Sequence, residues 1–171
     1  MKLVKNAVEI DVSTDEEGTK SFTAVASKVG TVNRNGLQLT PTSLEIERNR
    51  YPFLYNHGEG SSEVIGDVGV VYSEENNAYM CDFVIYDTHP NIKQAVENGA
   101  FNSVSVSYYM TDYDIQEDES VLVKNAIMNE VSLVSVPADP EALMANNAIG
   151  AELAKEAKNK ARLKEIKKAY E

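Results

Sequence analysis

Gly99-Ala-Phe-Asn-Ser-Val-Ser-Val-Ser-Tyr-Tyr-Met110 alternates polar and apolar from Asn102 onward. Ser103, Ser105, Ser107 and Tyr109 fall on one side, and Val104, Val106 and Tyr108 on the other. A period of two predicts a half-buried β-strand, with successive serines about 6–7 Å apart along one face. Lys, Glu and Thr are the usual solvated residues of such a face. Three small hydroxyls in a row either form a serine-rich solvent face or leave room for something to lie above the sheet.

Working outward, the chain on both sides also reads as strand. Nine Tyr, no Trp and many Val, Ile and Thr favour a β-rich body. Upstream, Leu3–Val12 and Ser21–Val29 alternate, and Asn33-Arg34-Asn35-Gly36 has turn chemistry. Thr40-Pro41-Thr42-Ser43 predicts the start of a helix of about ten residues, with Glu45 completing a capping box. Tyr51–Asn56 predicts a short apolar strand ending on His57-Gly58. Glu63–Tyr72 and Ala78–Tyr86 predict a hairpin across Ser73–Asn77, and Gly66 and Gly69 mark a bulge or a close backbone approach. Thr88-His89-Pro90 leads into a helix over Asn91–Asn98 that Gly99 stops, which makes His89 a helix-start residue.

Downstream, Thr111–Gln116 continues the serine strand and Glu117–Ser120 turns it. Val121–Ile127 returns, and Met128–Val136 reads as a further strand on which Glu130 and Ser132 share a face. Pro137-Ala-Asp-Pro-Glu-Ala142 closes the body before a short helix. Beyond Gly150 the Ala, Glu, Lys and Leu composition predicts a solvated, weakly amphipathic helix. The predicted organisation is therefore a body over residues 1–145 and a basic helical tail over 146–171.

The length of 171 residues suits one domain with an appendage. The net charge of −11 argues against a nucleic-acid-binding body, because phosphate contacts need clustered cations. Residues 150–171 hold seven Lys or Arg against four Glu, net +3, which leaves −14 for the remainder. The one cysteine, Cys81, lies in an apolar strand, so no internal disulfide or thiolate metal cluster is predicted. No apolar run approaches the ~18 residues of a membrane span, and the first residues lack a signal-peptide core. These features predict a soluble intracellular protein with no membrane partner, no cofactor and no metal.

Only two histidines are present. His57, at a strand end beside glycine, is either a surface loop residue or a proton shuttle leaning over a cleft. Glu130, at the start of an apolar β run, is either a solvated strand-end residue or the acid that orients a histidine. With Ser105, these residues form a possible nucleophile, base and orienting acid. Arg48 and Arg50 are the cations considered for an oxyanion site.

In four stretches taken in order, the chain resembles the prohead maturation proteases of tailed bacteriophages. Phe22–Ser43 resembles the family's opening strand, turn and Pro-started helix, and Leu54–His57 its catalytic histidine motif. Asn98–Tyr108 resembles its serine-strand motif, with Ser105 on the nucleophile position. Glu130–Ala142 resembles its Glu-Val-Ser-Leu-Val-Ser-x-Pro-Ala signature, the most specific of the four. Two positions depart from the family pattern. Gly58 stands where many relatives carry Asp, and Ser107-Tyr108 where many carry Gly-Phe.

The resemblance implies a herpesvirus-protease-like fold. Here that is a β-rich α+β chain with a closed or strongly curved, mainly antiparallel β-barrel, a few flanking helices and a C-terminal helical extension. It implies a serine endopeptidase with His57, Ser105 and Glu130 as catalytic residues. It further implies scaffolding protein and major capsid protein as substrates, cleavage of itself, self-association, and action inside the assembling prohead in the host cytoplasm. A non-catalytic, protease-like assembly component is the alternative from another class. A small β-barrel esterase is the third reading, disfavoured because no Gly-x-Ser-x-Gly elbow is present.

Overall fold

The computed structural model describes residues 11–134, apart from 17, 34, 59–62 and 102. Nine strands and one helix follow in order. They are β1 (Asp11–Thr14), β2 (Lys20–Lys28), β3 (Leu37–Leu39), β4 (Leu44–Glu45), β5 (Tyr51–Tyr55), β6 (Val64–Ser73), β7 (Ala78–Ile85), α1 (Pro90–Glu97), β8 (Ser103–Ile115) and β9 (Val121–Val134). All nine strands belong to one sheet, ordered β1-β2-β7-β6-β5-β9-β3, with β4 and β8 also paired to β9.

The last strand organises this sheet. At 14 residues, β9 spans about 45 Å, room for several short partners end to end. Along one edge β3, β4 and β5 pair with it in parallel at Val121–Val123, Ala126–Ile127 and Val131–Leu133. Along its other edge β8 runs antiparallel for nearly the whole length. The two predicted strands after Ser120 are thus one strand. Its ladder with β8 shifts where Tyr108 pairs with Met128 and Ser107 with Glu130, skipping Asn129.

Two expectations are corrected here. The sheet does not close into a barrel, and one short helix, not a few, flanks it among the described residues. Closure was the expectation that came with the resemblance, and it would have brought the distant site segments together. They converge without it, because β5, β9 and β8 are immediate neighbours. Between Val29–Val32 and β3 there are only single bridges, Val29–Leu39 and Val32–Gln38. The helix expected from Thr40 is a turn followed by the two-residue β4. The Ser43 hydroxyl accepts the Thr40 N–H at 2.7 Å and donates to the Val123 carbonyl at 2.5 Å. The Leu44 N–H donates to the Tyr79 hydroxyl and the Ala126 N–H to the Ser43 carbonyl. Groups that would have capped a helix are spent on tertiary bonds to β7 and β9.

The other elements follow their patterns. Pro90 starts α1 with His89 at the N-cap, and Gly99, at φ +72°, ends it. At Gly66 a Cβ would collide with the Val84 carbonyl, and the β5–β6 register shifts nearby, so close approach and bulge coincide. The core has two clusters. Phe22, Phe53 and Phe83 stack with centroids 5.3 and 4.4 Å apart, among Ile65, Val68, Val131 and Leu133. Val29, Leu39, Tyr79, Val121, Val123 and Ala126 form the second. Among the described residues, no helix is long and apolar enough to cross a membrane. The expected C-terminal helical extension, the short helix after Pro137 and most of the predicted Leu3–Val12 strand lie outside the described residues.

Candidate active site

Alternation along β9 sends Val131 and Leu133 into the first core cluster, so Glu130 and Ser132 share the opposite face. That face is covered too: Ser132 is 0% exposed and Glu130 8%. The cover is the turn that leaves β5. The Asn56 N–H still donates to the Leu133 carbonyl at 2.9 Å, but Asn56 and His57 then take φ +50° and +57°. Left-handed backbone is uncommon outside glycine, and Asn and His are among the side chains that tolerate it best. It folds His57 back over β9.

The folded-back residue makes two bonds. Its N–H donates to the Ser132 hydroxyl at 3.1 Å, and its Nδ1 lies 2.6 Å from Glu130 Oε1. The Ser132 hydroxyl in turn donates to Glu130 Oε2 at 2.7 Å. A carboxylate only accepts, so Nδ1 carries the proton and Nε2 of the neutral ring is the free base. The hydrogen bond to Glu130 is the main cause lifting the His57 pKa above its ordinary value; partial burial opposes it, and the carboxylate charge adds to it. The imidazole side chain remains 46% exposed, so it can meet a substrate.

The serine row lies next to this pair. In the β8–β9 ladder Ser105 is opposite Ser132 and Ser107 opposite Glu130, all four on one face. Directly opposed residues have Cβ atoms about 4.5–5.5 Å apart. The structure therefore brings His57 and Glu130 into contact and sets Ser105 one strand away, half-buried, with no hydrogen bond to the imidazole. In unliganded enzymes the nucleophile–base bond is often long and tightens with substrate.

Ser132 was not singled out as a site residue from the sequence. The available signal was its position two residues after Glu130, on the same face. Gly58 also acquires a physical reason: a Cβ there would strike the Glu63 side chain. The two arginines are engaged elsewhere. Arg50 bonds the carboxylates of Asp67 and Asp82, the latter at 2.6 Å, and Arg48 lies 5.8 Å from the centre of the Tyr51 ring. His89 Nδ1 is 3.0 Å from the Thr88 hydroxyl at the start of α1, in keeping with a helix-start residue. Burial pushes the Cys81 thiol up to about 12, so it offers no thiolate nucleophile.

A carboxylate-bound imidazole beside a row of serine hydroxyls is the equipment of a serine hydrolase. Comparison with known proteins narrows that class. The sequence model of the caudovirus prohead serine protease family matches residues 8–158. The chain is also 51% identical to proteins named probable capsid maturation protease in Lactococcus phage p2 and Lactococcus phage SK1, with all of this chain and all of each relative covered. No solved structure matches. The chain belongs to the caudovirus prohead serine protease family and is a serine protease of capsid maturation.

Proposed function

We propose that Ser105 is the nucleophile, His57 the general base and acid, and Glu130 the orienting acid of this protease. The observation that supports the reading best is the Nδ1–Glu130 bond on the face that Ser105 shares, one strand from the nucleophile. Neutral His57, with its Nδ1 proton on Glu130, takes the Ser105 hydroxyl proton on Nε2 as Oγ bonds to a peptide carbonyl carbon. When the resulting oxyanion collapses, the C–N bond breaks and Nε2 returns the proton to the leaving amine. Water then attacks the acyl ester, giving its proton to Nε2. The ester C–O bond breaks, and Ser105 recovers its proton. Glu130 stabilises the imidazolium formed in each half.

The substrates in this reading are segments of the scaffolding protein and the major capsid protein, cut inside the assembling prohead in the host cytoplasm. The enzyme also cuts itself, with residues 1–145 as the protease domain and the basic segment 146–171 as a self-cleaved or scaffold-linking piece. It self-associates.

The test is co-expression of the wild type or Ser105→Ala with the cognate scaffold and capsid protein, followed by mapping of the fragments. The wild type should release scaffold and capsid fragments, and the Ala variant should lose about 10⁶ in rate. Fragments that persist with Ser105→Ala would move the nucleophile to Ser103 or Ser107. No cleavage by either protein during assembly would favour a non-catalytic assembly component.

A further inference from the structure

We propose that Ser132 is a positioning residue, whose single hydroxyl locks both the carboxylate of Glu130 and the backbone of His57 in their working arrangement. The inference rests on the assignment of His57 and Glu130 made above. The Ser132 hydroxyl is hydrogen-bonded to both residues. It donates to Glu130 Oε2 at 2.7 Å and accepts the His57 N–H at 3.1 Å. With Oε2 occupied, Oε1 is left to Nδ1 at 2.6 Å. The carboxylate is thereby held at both oxygens and cannot rotate without breaking a bond.

The other bond acts on the backbone. His57 sits at φ +57°, which an L-residue holds only when its surroundings enforce it. The acceptor on its N–H is one of those constraints. A hydroxyl is the smallest side-chain group that donates and accepts at once, and at 0% exposure no water competes for its bonds. Ala would supply neither bond, and Val would add bulk without a polar atom.

The same geometry separates two serines that face each other across the β8–β9 ladder. Ser132 is buried and has committed its proton to a carboxylate, so it cannot give that proton to Nε2. Ser105 is half-buried and makes no such bond, which leaves it available for attack. Within one polar face, one serine holds the base and its acid while the other reacts.

The decisive measurement is the titration of the His57 ring by NMR, which does not depend on proteolysis. In Ser132→Ala the Glu130 bond loosens, and the His57 pKa should fall towards the ordinary ~6.5. Cleavage should lose about 10² in kcat with KM unchanged, the scale of a misplaced catalytic group. Ser132→Thr keeps the hydroxyl and should restore both. A folded Ser132→Ala protein whose His57 titrates as in the wild type would overturn the proposal. If neither variant folds, amide exchange in the wild type decides. A protected His57 N–H supports the lock, and exchange at the rate of an unbonded amide overturns it. A wild type without proteolysis, in which Ser132→Ala still lowers the His57 pKa, would support the lock while removing the protease assignment. A cleaving wild type with an unmoved pKa in Ser132→Ala would do the reverse.

Discussion

The two ends of β9 are each pinned by a serine that is 0% exposed, yet the two pins have different consequences. At the Val121–Ile127 end, Ser43 receives the Thr40 N–H and donates to the Val123 carbonyl, with the Thr40 hydroxyl 2.9 Å away. None of these partners titrates. At the Glu130–Val134 end, Ser132 binds one backbone N–H and one carboxylate, and that carboxylate holds a half-exposed imidazole. Burial and satisfied hydrogen bonds are shared by both sites, so neither property marks function. What sets them apart is where the chain of bonds ends: on backbone at one end, on a solvent-facing base at the other.

The strongest way to break this contrast is to compare Glu130→Gln with Ser43→Ala in the same cleavage assay. Loss of the orienting carboxylate in another serine protease costs about 10⁴ in kcat, and a similar fall is expected for Glu130→Gln. Its residual activity should persist to lower pH, because His57 loses the partner that lifts its pKa. Ser43→Ala, assayed well below its melting temperature, should cleave at the wild-type rate. Equal losses in the two variants would show that the two ends of β9 are not separable.

Ser43→Ala should instead be read in stability. It leaves the Thr40 N–H and the Val123 carbonyl without the partner they share, at a cost of about 1–3 kcal/mol. For a chain of this size each kcal/mol lowers Tm by about 2–4 °C, so a drop of several degrees should appear in a thermal melt. An unchanged Tm would mean that the turn before β4 holds without its hydroxyl.

The same contrast shows what could be read from the sequence. Alternation sufficed for β2 and β8, a short apolar run for β5, a polar turn between two strand segments for β6 and β7, and Pro90 with Gly99 for α1, because these signals are local. His57 and Glu130 stood open as candidates from their places at a strand end and a strand start, and the family resemblance chose between their readings; Ser132 could be placed on Glu130's face by counting two residues. The bonds of Ser132 were not legible, since they depend on the left-handed turn at Asn56 and His57. The Thr40–Ser43 segment misled because Ser, Thr and Pro serve helix starts and turns alike, and distant Val123 and Tyr79 decided between them. The three parallel partners of β9 have no local signature either. Without them, the barrel implied by the resemblance stood as the way to bring distant segments together, when a shared long neighbour was enough.

The smallest expected effect concerns how stability varies with pH. The folded protein raises the His57 pKa, chiefly through the Glu130 hydrogen bond, so folding favours the protonated ring. The resulting stabilisation is complete below the unfolded value of ~6.5 and is lost as pH climbs through the raised folded value. The Tm gap between the wild type and Glu130→Gln should therefore be widest near about pH 5.5 and narrow above neutrality. Solvent screening keeps the change modest, because half of the imidazole is exposed. The gap between the wild type and Ser43→Ala should stay flat over the same range, since the one ionisable neighbour, the Tyr79 hydroxyl, is pushed further above it by burial. A Glu130 gap that widened with rising pH would mean that the fold prefers the neutral ring, and the charge-assisted bond at this end of β9 would have to be abandoned.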